Sequence, residues 1–138
     1  MVINGQTIVA ANKLRLEKGF PALINPLNED WVRPVSYTLT CSGNNASEVI
    51  IPPGVSKLIR CHEDLFIPTT VAATIHNTVF LLDKGAHVLG PVLHPGWTGP
   101  VHLLVVNAGP WDVTIRPGSP LAALVFHRLD VPMDAAAS

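Results

Sequence analysis

Residues 90–128 read GPVLHPGWTGPVHLLVVNAGPWDVTIRPGSPLAALVFHR. Pro and Gly interrupt the stretch at Gly90-Pro91, Pro95-Gly96, Gly99-Pro100, Gly109-Pro110, Pro117-Gly118 and Pro120. Between these points lie short runs of Val, Leu, Ile and Thr. Branched side chains suit a pleated surface and Pro-Gly pairs suit turns, so the stretch predicts short strands joined by tight turns. Val113-Thr114-Ile115 alternates as a half-buried strand does. Val101 to Val106 is nearly continuous apolar, which predicts a strand covered on both faces.

The same punctuation continues upstream, at Pro52-Pro53-Gly54 and Pro68. No window holds a helical period over three turns, and Lys13-Leu14-Arg15-Leu16-Glu17 alternates like a strand. Residues 25–33 are polar around one Trp and read as a loop; residues 42–47, SGNNAS, read as a turn. The expectation is an all-β chain, barrel or sandwich, with one domain over residues 1–130 and a tail over 131–138.

Of 138 residues, 48% are hydrophobic and only 14% charged. Ordinary soluble domains carry about 25% charge. A domain near this size buries only about two-thirds of the surface its unfolded chain exposes, so apolar surface is left over. Burial against other subunits is the physical outlet. The formal net charge is −1 with no run of Lys or Arg, which argues against a nucleic-acid polymer as partner. No apolar run reaches the ~18 residues of a membrane span, and the opening MVINGQTIVAANKLRL does not read as a secretory signal. A cytoplasmic location is expected, or a virion if the chain is phage-encoded. Asn45 stands in an N-x-S glycosylation pattern, discounted without that signal. Cys41 and Cys61 read as buried free thiols, a disulfide or a reactive nucleophile being the alternatives. Cys61-His62-Glu63 does not form a site, because neighbours on a strand face opposite ways.

Several motifs then fall in order. His94-Pro95-Gly96-Trp97-Thr98-Gly99 precedes an apolar strand that closes at Asn107. Arg116-Pro117-Gly118 and Leu121-Ala122-Ala123-Leu124-Val125-Phe126 follow. Upstream stand Glu63 to Pro68 (EDLFIP), Val32 to Leu39 (VRPVSYTL) and the opening Met1 to Ala11. This set resembles the dCTP deaminase and dUTPase family. The deaminases carry I-D-P-G-[WF]-x-G, a strand with a buried Glu and a closing Asn, then R-P-G-M and A-L-x-F. The resemblance implies a β-clip, a distorted jelly-roll barrel assembled as a homotrimer with sites between subunits.

The resemblance also marks departures. The family grips triphosphate with R-S-S-L-A-R, where Arg forks and hydroxyls match the phosphate charge. Thr78 to Asp83 (TVFLLD) stands in that place; losing two charge-assisted contacts costs ~1.5–3 kcal/mol each. Leu104 stands where the deaminases carry the proton-moving Glu, and general acid-base help is worth ~10²–10⁴-fold. His94 stands in place of the Asp before Pro-Gly-Trp. The glycine-rich C-terminal arm of dUTPases has no counterpart in PMDAAAS.

These departures lead to the expectation of a non-catalytic homotrimer with a structural or assembly-stabilising role, for example a decoration protein on a phage capsid. The alternatives are a nucleotide-metabolism enzyme with a displaced site (a dCTP deaminase or dUTP diphosphatase with His94 as base) or a nucleotide-sensing regulator. Trp97, Lys84 and Asn107 are the candidate substrate contacts, and Trp97, His94 and His102 the candidate interface residues. His87, His94 and His102 lack zinc spacing, so no metal is expected; Mg²⁺ enters only with dUTP hydrolysis.

Overall fold

A computed structural model of the chain describes residues 1–42 and 47–131. Helix α1 (Gly5–Glu17) is followed by β1 (Ile24–Asn25) and a 3-10 turn (Glu29–Trp31). Then come β2 (Tyr37–Thr40), β3 (Val49–Ile51), β4 (Ser56–Phe66) and β5 (Val71–His76). A one-turn helix α2 (Val79–Leu82) leads to β6 (Ala86–Leu89), β7 (Thr98–Asn107), β8 (Val113–Ile115) and β9 (Pro120–Arg128). Asn45, and the tail expected over 131–138 apart from Val131, lie outside the described residues.

The strands make three sheets, ordered β1-β4-β7-β6, β2-β9-β5 and β3-β8, and neighbouring strands within each run antiparallel. Alternation decides which side chains go inward. On β7, Val101, Leu103, Val105 and Asn107 are buried; on β9, Leu124 and Phe126 are. They meet Tyr37, Leu39, Ile51, Leu65, Ile67, Leu93 and Ile115 in one core, each almost completely out of water. Burying a side chain of this size stabilises by about 1.5–3 kcal/mol.

The sheets are joined at a bulge in β4. Arg60 pairs with His102, but the next pair is Asp64 with Pro100, so Cys61, His62 and Glu63 bow away from β7. There β4 turns to the end of β2: Cys41 bridges Cys61, and Thr40 bonds to Glu63. Cys61 and Glu63 point inward and His62 outward, on opposite faces as strand alternation predicts.

Two expectations need correction. Residues 5–17 are helical, not extended. Asn4 caps the helix by accepting the Thr7 N–H at 2.9 Å, and the side chains buried along it are at Ile8 and Asn12. Asn12 breaks the apolar stripe, and this hides the helix in the sequence. Its amide donates to the Ile24 carbonyl at 3.3 Å and accepts the Ile24 N–H at 3.0 Å, fastening β1 to the helix. Gly5 lets the helix begin against the barrel, since a Cβ there would run into the Arg33 carbonyl oxygen. Second, β7 is covered on one face only within the protomer. His102 is exposed, and Leu104 and Val106 are half-buried.

Candidate functional site

The outward face of β4-β7-β6 carries the residues nearest to chemistry. Pairing puts Arg60 opposite His102, and Leu104 between Leu58 and Leu89. Leu58 is 64% exposed and Leu89 55%, so an apolar stripe runs across three strands beside a guanidinium and an imidazole. A cleft of about 340 Å³ opens at the edge of this face, lined by Cys41, Ser42, Ser47, Leu58, Arg60 and His102 among others. Lys57, the neighbouring cation, donates its Nζ–H to the Ile50 carbonyl at 2.9 Å.

The sequence candidates separate along β7, which at ten residues is about 30 Å long. His94 and Trp97 lie just before its start, in a turn clipped to Ile67 by the Gly96 N–H to Ile67 carbonyl bond at 2.7 Å and the Ile67 N–H to Trp97 carbonyl bond at 2.9 Å. His94 is exposed; Trp97 packs partly against the core. The Trp97 indole N–H is buried and has no acceptor among the described residues. Buried N–H groups are ordinarily satisfied by protein or water. Asn107 and Lys84 lie at the other end. His102 sits between, on the open face.

Asn107 is fully buried and engaged. Its amide donates to the Ile51 carbonyl at 2.8 Å and the Trp111 carbonyl at 2.7 Å, and accepts the Gly109 N–H at 3.0 Å. Both amide hydrogens tie backbone, which leaves none to donate to a substrate. Lys84 is exposed, with its ammonium 4.8 Å from the Phe80 ring centroid. It borders a separate cleft with Asp83, Trp111, Asp112 and Arg116. The TVFLLD segment forms α2, with Thr78 as its cap and Leu81 buried; it presents Val79, Phe80 and Leu82 to solvent, with no cation.

The sequence gives no role to Glu63 or Arg60. Glu63 is 2% exposed; one carboxylate oxygen accepts the Thr40 N–H at 2.9 Å and the other the Thr40 hydroxyl at 2.7 Å. It makes a structural joint between β2 and β4. Nothing in the local sequence separates this inward carboxylate from the outward Asp64 except strand alternation. Burial, then the Glu63 carboxylate, then Cys41 push the Cys61 thiol far above its ordinary pKa; burial also raises Cys41. Among the described residues no group of three or more His, Cys, Asp or Glu could hold a metal ion. On the outward side Asp64, paired with Pro100, shares a second cleft with Arg60.

The barrel is that of the dUTPase and dCTP deaminase structures. The crystal structure of 2′-deoxycytidine 5′-triphosphate deaminase from Agrobacterium tumefaciens superposes with a TM-score of 0.72 at 15% identity, over 94% of this chain and 49% of that one. EIAV dUTPase superposes with a TM-score of 0.63 at 15% identity, over 81% of this chain and 88% of that one. This likeness defines the class, a β-clip. The dCTP deaminase-like family model matches residues 43–129, and the chain belongs to that family. A relative in Methanopyrus kandleri, "dCTP deaminase, dUMP-forming", is 36% identical over 90 residues, which is 63% of this chain and 47% of the relative. The match thus spans about half the length of that protein.

The expected structural role, with capsid decoration as its example, gives way here. Relatives carry the name dCTP deaminase, and they support the nucleotide-enzyme alternative over an assembly protein. Single departures from a family's motifs do not define what a chain assembles into.

Proposed function

We propose that this chain acts on a deoxycytidine nucleotide as a deaminase of the dCTP type. Family membership and the names of its relatives support the substrate class. The observation that carries the reading is the pairing of Arg60 with His102 on the open face, one alternation step from Leu104. Deamination adds water to C4 of cytosine and expels ammonia. Some group must take a proton from the water and return one to the leaving amine. Leu104 cannot, and imidazole is the side chain best suited to do so near neutral pH. His102 fills that role, and Arg60 attracts the phosphates. His94, at the far turn, contacts the adjoining copy.

One guanidinium is thin for a triphosphate. The apolar stripe of Leu58, Leu104 and Leu89 supports assembly as a homotrimer, in which a second copy covers this face and completes the grip. The unpartnered indole of Trp97 is in keeping with such a seam.

The test is purified protein incubated with dCTP, with ammonia and dUTP or dUMP followed by chromatography and the trimer by sedimentation. Turnover is expected, lost in His102→Ala and retained in His94→Ala. Absence of both product and binding overturns the proposal. The presence of Leu104 favours a second reading, a regulator that binds without converting; calorimetric binding of dCTP with no ammonia would establish it instead.

A further inference from the structure

Cys41 and Cys61 are the only cysteines of the chain, both free, and 6% and 1% exposed. They stand directly opposite each other in an antiparallel bridge. Which kind of pair this is can be read from the backbone. The Cys41 N–H donates to the Ser119 carbonyl at 2.9 Å, and the Cys41 carbonyl accepts the Gly118 N–H at 3.0 Å. Both polar groups of Cys41 thus face β9, away from Cys61. The flanking Ser42 N–H donates to the Arg60 carbonyl at 3.0 Å instead. This is the non-hydrogen-bonded pair of an antiparallel ladder, where Cα atoms lie about 4.5 Å apart and the side chains are closest. A disulfide needs Cα atoms about 4.4–6.8 Å apart, so the backbone is already in place for one.

Cys41 borders the cleft shared with Arg60 and His102 and keeps 6% of its surface exposed, against 1% for Cys61.

We propose that Cys41 and Cys61 are a redox-responsive pair, closed to an intramolecular disulfide by a small-molecule disulfide such as oxidised glutathione. The Cys41 thiol loses its proton and its sulfur attacks one sulfur of the reagent. The reagent's S–S bond breaks, and one thiolate leaves and takes up that proton. Cys61 loses its proton and attacks Cys41 Sγ of the mixed disulfide. The second thiolate leaves and is protonated. Two protein thiols are oxidised and one reagent disulfide is reduced to two thiols. Burial makes both thiols reluctant, so closure is slow, whereas the aligned partner makes the mixed disulfide short-lived. The product staples the end of β2 to the bulge of β4, at the floor of the cleft.

The experiment treats native protein with oxidised glutathione and reads intact mass, thiol titration after unfolding, and Tm. Expected are loss of two hydrogens with no glutathione retained, no titratable thiol, and a higher Tm that dithiothreitol reverses. Cys61→Ala should instead keep one glutathione on Cys41; if that variant does not fold, Cys61→Ser serves. Thiols that stay free until the protein is unfolded, a lasting glutathione adduct on the native sequence, or disulfide-linked dimers would each overturn the proposal. None of these readouts depends on nucleotide turnover.

Discussion

At the scale of single residues, environment outweighs residue type. Glu63 and Asp64 are neighbours, yet one is a buried joint and the other a surface charge, because β4 alternates. The same alternation puts Cys61 inward, where its thiol is held neutral. The consequence for stability has a definite sign. The folded-state pKa lies above the unfolded value of about 9, so the folded chain keeps a proton that the unfolded chain releases. Stability from this group is intact below pH 9 and falls above it, by up to about 1.4 kcal/mol per pH unit. Melting curves between pH 8 and 10.5 should show this fall, with a shallower slope in Cys61→Ala; parallel slopes would refute the assignment. Strand parity was legible in the sequence and gave the directions of Cys61, His62 and Glu63. The Cys41–Cys61 register was not, since it depends on a bulge that no local pattern announces. Nor was the work of Asn107, whose partners Ile51 and Trp111 come together only through folding.

At the scale of elements, the strands were readable and the first helix was not. Pro-Gly turns and branched runs mark β7, β8 and β9 because these strands obey local rules of twist and alternation. In α1 the stripe facing the barrel includes a polar residue, and its inward side is satisfied by backbone rather than by apolar contact. Asn12 is therefore as important as a core leucine. Asn12→Ala leaves the Ile24 N–H and carbonyl unpaired in a buried place, which costs about 1–3 kcal/mol per group. Urea unfolding should show a loss of about 2 kcal/mol or more, whereas Lys13→Ala, on an exposed neighbour, should change little. An equal effect of both variants would mean that the helix contributes through propensity alone.

At the scale of the whole molecule, sequence order and spatial order differ. The order of motifs pointed to the right family, because turn glycines and core periodicity specify the barrel independently of the chemistry. The candidate site was less legible. His94, Trp97, Lys84 and Asn107 look like one cluster only when the family's seam is assumed; within a protomer β7 holds them apart. Val2 bridges His127, and the Arg128 N–H donates to the Met1 carbonyl at 2.7 Å. Met1 and Val2 are thus laced to the end of β9 at one edge of the barrel. A circular permutant that joins the two ends through a linker and opens between the exposed Phe20 and Pro21 should keep the native circular dichroism and Tm within a few degrees, since the Arg15 Nε–H to Pro21 carbonyl bond at 2.7 Å still ties the new terminus to α1. The barrel then has no obligatory first element: where synthesis starts is a matter of gene layout, and the closed ring of contacts is what the fold preserves.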